Sequence, residues 1–352
     1  MKPVIFGLSG LELTADERAF FRECQPAGYI LFKRNIMDRV QLRALTNSLR
    51  EVSGRADVPI LIDQEGGRVA RMQPPVWPVF PAGAVFDALY DISAMTAIEA
   101  ARVNAHALAL TLAEVGINVN CAPLLDVRVP ETHAAIGDRA MGSDPMRVAA
   151  LGRAVLDGLQ SGGVVGVVKH MPGHGRALVD SHYELPKVSA TREELEQDFS
   201  PFRSLNRAPM GMTGHIVFDA YDPDLPATMS PTIINDVIRG DIGFDNLLMS
   251  DDLDMKALSG DIASRAEACI VAGCDIALNC WGRMDEMVQI ANRLPDMGPP
   301  ALERIGRAMG TVGPVEYADD KLAALLDKRD QLIAIGEDRI DSKLTRAATG
   351  AA

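Results

Sequence analysis

The chain is expected to fold as an α/β protein, a single (β/α)8 barrel. Eight short apolar runs are spread along it, helical patterns fall between them, and titratable residues collect where several of the runs end. The candidate strands are Val4–Leu8, Tyr29–Phe32, Ile60–Ile62, Ile117–Cys121, Val164–Val168, Met210–Thr213, Leu247–Met249 and Ile276–Leu278. The run Val164-Val165-Gly166-Val167-Val168 is the clearest, because β-branched residues without polar alternation suit a strand covered on both faces. An open, doubly wound sheet would alternate in the same way. It usually carries a G-x-G-x-x-G turn after its first strand, and none is present.

The helices announce themselves by their ends. Thr14-Ala15-Asp16-Glu17 is a capping box, followed by Phe20, Phe21 and Cys24 on one face. Residues 94–115 are alanine-rich and stop at Gly116. Asp144-Pro145 and Ser230-Pro231 each put a capping side chain before a proline suited to the first helical turn. Thr191-Arg192-Glu193-Glu194 is a second capping box, with Leu195, Phe199 and Phe202 at helical spacing and Pro201 set to distort the helix near its end. No long Gly/Ser or Pro linker interrupts the chain. One catalytic domain is expected over residues 1–352, with a core of about 1–310 and a packing helix plus loose tail over about 311–352.

Bulk composition narrows the possibilities. A chain of 352 residues, 47% hydrophobic and 24% charged, can bury a large core. A net charge of -13 disfavours nucleic acid and anionic membrane as partners. No apolar run approaches the roughly 20 residues of a membrane helix. Met1–Gly7 lacks the apolar length of a signal peptide, so the expectation is a cytoplasmic protein. The five cysteines, Cys24, Cys121, Cys269, Cys274 and Cys280, form no C-x-x-C pair and read as free thiols.

Chemistry concentrates in Lys169-His170-Met171-Pro172-Gly173-His174-Gly175-Arg176-Ala177-Leu178-Val179-Asp180-Ser181-His182. This segment holds three of the six histidines and directly follows the fifth candidate strand. Other strands also end in polar residues. Asp63, Glu65, Arg68 and Arg71 follow the third, Asp126 the fourth, His215 the sixth, and Asp251 and Asp252 the seventh. In a barrel these converge on one mouth. A carboxylate directly after an apolar strand, as Asp251 is, is held firmly enough to act as nucleophile or electrostatic stabiliser, or as a helix cap or metal ligand. Asp252 should point the other way if strand geometry persists. Asp180, two residues from His182 in a Gly-rich stretch that reads as a mobile loop, can orient that imidazole as a general acid–base. His170 and His174 have metal-pair spacing, but Pro172 and Gly173 oppose a helix and H-E-x-x-H is absent, so no metal and no cofactor are expected.

These residues sit in blocks that resemble the bacterial β-N-acetylglucosaminidases of glycoside hydrolase family 3, of the cell-wall recycling type. The blocks are Ile30–Ile36; Ile62–Val69 with Arg71; Gly116–Val127; Lys169–His182; and Ser250–Leu253 with Met255. Gly137-Asp138-Arg139 and Met212-Thr213-Gly214-His215 add to them. The resemblance implies a (β/α)8 barrel and retaining hydrolysis. Asp251 would be the nucleophile and His182 the acid–base with Asp180 as its partner. Asp63, Arg71, Arg139, Lys169 and His170 would hold a terminal N-acetylglucosamine. It also implies a small carbohydrate substrate, N-acetylglucosamine joined to anhydro-N-acetylmuramic acid with or without peptide, and a monomer. Four positions depart from the family's habit: Met141 and Met171 replace phenylalanine, Gly214 replaces alanine, and Asp254 stands where serine or glutamate is frequent. None is a proposed catalytic group, and all bear on pocket shape.

Four rival readings remain at the level of sequence. A neutral histidine tolerates phosphate, so the enzyme could be a phosphorylase. Another sugar specificity, or catalysis assisted by the substrate's own acetamido group, fits the same fold. Outside enzymes, a sugar-binding barrel without turnover is the alternative.

Overall fold

A computed structural model describes residues 1–315 and 317–336. Eight parallel strands close into a barrel, with helices outside. In chain order the elements are β1 (Lys2–Gly7), α1 (Ala15–Cys24), β2 (Pro26–Leu31), α2 (Arg39–Ser53), β3 (Ile60–Ile62), α3 (Gly83–Tyr90), α4 (Ala94–Glu114), β4 (Val119–Asn120), α5 (Pro145–Ser161), β5 (Val165–Met171), β6 (Lys187–Val188), α6 (Arg192–Ser204), β7 (Met210–Thr213) and β8 (Val217–Phe218). A π-helix (Ile233–Asp241) precedes β9 (Leu247–Asp252), α7 (Ile262–Ala272), β10 (Ile276–Asn279), α8 (Met284–Arg293), α9 (Pro299–Met309) and α10 (Asp319–Ala334). The barrel runs β1-β2-β3-β4-β5-β7-β9-β10, and β10 pairs with β1 to close it. Strands β6 and β8 form a separate pair.

All eight expected barrel strands are present. Each alternates its side chains between two apolar environments. Val4 and Phe6 of β1 face the helices with Phe21 and Tyr29, while Ile5 joins Ile30, Leu61, Val165, Met210 and Leu278 inside the barrel. The expected caps are made: Thr14 and Thr191 complete capping boxes, Asp144 accepts the N–H of Arg147 before α5, and Ser230 accepts the N–H of Ile233. Pro201 lies within α6, which ends three residues later at Ser204.

The amino end of the barrel is closed by α9. Its Ile305, Ala308 and Met309 join the interior apolar cluster, and Arg304 pairs with Asp245 and Asp275, just before β9 and β10. The expected packing helix is α10, where Lys328 pairs with Glu99 and the buried Arg329 donates to the carbonyl of Val79. The loose tail expected after it lies outside the described residues. No helix among the described residues is long and apolar enough to cross a membrane.

Candidate active site

The carboxyl end of the barrel is open. A cavity of about 390 Å³ lies there, lined by residues from the ends of β2, β3, β5, β7, β9 and β10 and from the segments after β3, β4 and β5. All eight residues singled out from the sequence line it: Asp63, Arg71, Arg139, Lys169, His170, Asp180, His182 and Asp251.

Two corrections concern strand ends. Lys169, His170, Asp251 and Asp252 were expected just beyond their strands, but β5 and β9 run on to include them. Apolarity stops before the hydrogen-bonded ladder does, because side chains at the open end face the cavity rather than a packed core. The peptide between Lys169 and His170 is cis, and both side chains line the cavity. Asp252 was expected to point away from Asp251. Both line the cavity, and Asp252 also turns towards β10, where its Oδ1 accepts the N–H of Cys280 at 3.3 Å. The β9–β10 pairing shifts register at this point, so strict alternation does not persist.

The floor of the site is an ion network. Lys169 Nζ lies 3.0 Å from Asp63 Oδ1 and 2.7 Å from Glu65 Oε1. Arg139 grips Glu65 through two bonds of 2.8 Å, and Arg71 reaches Asp63 at 3.5 Å. Burial alone would raise both carboxyls, but the cations outweigh it: Glu65 is held down to about 2 and Asp63 below its usual range. Burial opposes the Lys169 charge in turn, and Asp63 and Glu65 overcome that, raising its pKa. The network is therefore fully ionised at neutral pH and presents oriented donors and acceptors to a hydroxylated ligand. Glu65 was given no role from sequence, although its two-residue spacing from Asp63 was the available signal.

A second group is organised by Asp126, which is fully buried. It accepts His170 Nδ1 at 2.8 Å and the backbone N–H groups of His170 and His174 at 3.1 and 2.7 Å. Burial raises this carboxyl and its histidine partners more than compensate, bringing it to about 2. Because a carboxylate only accepts, His170 donates from Nδ1 and keeps Nε2 for the cavity. These bonds also overturn the expectation of a wholly mobile loop. His174 is buried, and a Cβ at Gly175 would fall 1.7 Å from the carbonyl oxygen of Val127, so only glycine lets the chain lie this close. Gly214, one of the four departures from the family's habit, lies where a Cβ would come 3.3 Å from the Cβ of His170.

Beyond that anchored half the loop carries Asp180 and His182. Asp180 Oδ1 accepts His182 Nδ1 at 2.7 Å and the His182 backbone N–H at 3.0 Å. The His182 side chain is 63% exposed, and Nε2 is the ring atom left for a ligand. The loop rests on the turn after β9: Lys256 N–H donates to the His182 carbonyl and Ala257 N–H to that of Ser181. The acid–base candidate is thus tied to the strand that carries Asp251.

Asp251 is half-buried and lines the cavity. Burial raises its carboxyl, but His170, His215, the backbone N–H of Asp252 and Lys169 together bring it below the usual range, so it is an anion at neutral pH. His215 sits beneath, with Nδ1 on Thr228 at 2.8 Å and Nε2 on the Asp252 carbonyl at 3.0 Å. Asp252 differs: burial first, then the charges of Asp254 and Asp251, push it up to about 7. The two neighbouring carboxyls are thus shifted in opposite directions, the pattern of acid–base sites. Among the described residues, no group of three or more His, Cys, Asp or Glu side chains is arranged to hold a metal ion.

Residues 6–308 match the glycosyl hydrolase family 3 N-terminal domain. A β-hexosaminidase from Alkalilimnicola ehrlichii is 37% identical over 313 residues, 88% of each chain. The structure of NagZ from Neisseria gonorrhoeae with N-trifluoroacetyl-D-glucosamine is 30% identical, with a TM-score of 0.84 over 95% of this chain and 98% of that one. A family 3 β-N-acetylglucosaminidase from Paenibacillus is 32% identical with a TM-score of 0.77; the match takes in 93% of this chain and 61% of that longer one. The barrel, the cavity at its carboxyl end and these matches agree, and the chain belongs to glycosyl hydrolase family 3 and is a glycoside hydrolase.

Proposed function

We propose that the protein is a retaining exo-β-N-acetylglucosaminidase that removes terminal N-acetylglucosamine from peptidoglycan-derived muropeptides in the cytoplasm, working as a monomer. The observation that carries the reading is one cavity holding an ionised Asp251, the Asp180–His182 pair and the Asp63–Lys169–Glu65–Arg139 network. The relative from Alkalilimnicola ehrlichii, named a β-hexosaminidase, and the NagZ structure with a glucosamine derivative support the choice of sugar.

In this reading the sugar lies over the network, with hydroxyls and acetamido group on Asp63, Arg71, Arg139, Lys169 and His170. Asp251 attacks the anomeric carbon, and the bond to the leaving oxygen breaks as His182 Nε2 gives that oxygen a proton. Asp180 stabilises the imidazolium before transfer and fixes the ring. The neutral imidazole then takes a proton from water, which displaces Asp251 and frees the sugar with its configuration retained.

Proton NMR of an aryl N-acetyl-β-glucosaminide during turnover in phosphate-free buffer tests this. Early appearance of the β-anomer is the expected result. Early α-anomer would contradict retention, and turnover only after phosphate is added would show a phosphorylase.

A further inference from the structure

The loop after β5 has two halves, and among the described residues one side-chain hydrogen bond joins them. Asp126 fixes the first half through the His174 N–H, while Asp180 and His182 lie in the second. Ser181, between those two, places its Oγ 3.3 Å from His174 Nε2. The His174 and Ser181 side chains are buried, whereas the neighbouring His182 ring is mostly exposed. His174, Asp180, Ser181 and His182 all line the cavity.

The Asp180–His182 pair does not fix its own place. Asp180 accepts from the ring and from the backbone of the same residue, so the two can shift as one unit. Among the described residues, three hydrogen bonds tie residues 180–182 to other parts of the chain. Two are backbone bonds from the turn after β9, at 3.4 and 3.3 Å, and the third is the His174–Ser181 contact. His174 is suited to hold it. Its Nδ1 is buried and has no hydrogen-bond partner among the described residues. A proton there would be an unpaired buried donor, so the proton belongs on Nε2, which donates to Ser181 Oγ. Burial first, and then the charge of His170, hold the pKa of His174 down to about 4 against the pull of Asp126. The ring is therefore uncharged at neutral pH and keeps that one donor.

We propose that His174 and Ser181 are positioning residues for the acid–base pair: the imidazole holds the Ser181 hydroxyl against the cavity wall and so sets the distance from His182 Nε2 to the leaving oxygen. General acid catalysis needs the donor within hydrogen-bond reach of that oxygen, and a small misplacement lowers the rate. The inference rests on the reading that His182 gives the leaving oxygen its proton.

The test compares two N-acetyl-β-glucosaminides through kcat/KM, which reports the step that breaks the glycosidic bond. One carries a dinitrophenyl leaving group, which departs without a proton; the other carries benzyl alcohol, which needs one. In Ser181→Ala and in His174→Phe, kcat/KM should fall by about ten- to fiftyfold for the benzyl glycoside and by no more than about twofold for the dinitrophenyl glycoside. The double variant should be no worse than either single one, because both remove the same contact. Both substrates meet the same folded fraction, so a merely structural loss lowers the two equally. Equal losses on both substrates, no loss on either, or additive losses in the double variant would overturn the positioning role. His182→Gln checks the reading beneath it: its loss should also fall mainly on the benzyl glycoside, and equal losses in that variant would overturn the acid itself.

Discussion

The same eight strands make both ends of the barrel, and the two ends are chemical opposites. At the amino end α9 sets Ile305, Ala308 and Met309 against the interior apolar cluster, with its Arg304 paired to Asp245 and Asp275. At the carboxyl end the strands finish in Lys169, His170, Asp251 and Asp252 around an open, charged cavity. The contrast locates stability at one end and chemistry at the other, and each can be perturbed separately.

The largest effect belongs to Asp251. Asp251→Asn removes the nucleophile, and kcat on an aryl N-acetylglucosaminide should fall by about four orders of magnitude or more in a steady-state assay. Next comes Lys169→Met, which strands Asp63 and Glu65 in a buried site without their shared cation. Urea denaturation should show a loss of about 3–5 kcal/mol, together with loss of activity. Ile305→Ala is its counterpart at the other end. It should cost about 2–4 kcal/mol through a cavity, with kcat within about twofold of wild type. A large drop in kcat for Ile305→Ala would break the separation of the two ends.

Asp180→Asn should lower kcat by roughly a hundredfold and alter the pH profile, since His182 loses the carboxylate that orients it. An unchanged profile would show that the pairing is idle.

The smallest effect is a pH dependence. Asp252 has an ordinary value of 3.8 and rises to about 7 in the fold, and Asp254 rises from 3.8 to about 6. A raised carboxyl favours the folded state while protonated, so this contribution is lost as pH climbs from about 4 to 7. Glu65 and Asp126, both brought to about 2, have the opposite sign: they stabilise above their ordinary values of 4.5 and 3.8, and that support is lost as pH falls towards 2. Asp252→Asn should therefore stabilise the protein at pH 8 and lose that advantage towards pH 4, read as denaturation midpoints across the range.

The barrel was legible because its strands are apolar on both faces and several helix starts carry their own cap, as Thr14, Asp144 and Thr191 do. Strands β6 and β8 were not, because two residues each carry no periodicity. The cavity residues were legible in part. Asp63, Lys169 and Asp251 follow or end apolar runs in blocks that resemble a family. Glu65 and Asp126 lie in the same blocks, but their roles come from partners more than 40 residues away: Arg139 and Lys169 for one, His170 and His174 for the other. The anchored half of the β5 loop was hidden for the same reason, since Gly175 reads as flexible until the carbonyl of Val127 stands against it.

The central claim is that Asp251 becomes covalently bound to the sugar. Incubating the enzyme with a 5-fluoro-N-acetylglucosaminyl fluoride and sequencing its peptides by mass spectrometry tests this most directly. A glycosyl adduct on Asp251, absent from Asp251→Asn, is the expected result. Continued turnover of N-acetylglucosaminides with no adduct, or with an adduct on another residue, would contradict it.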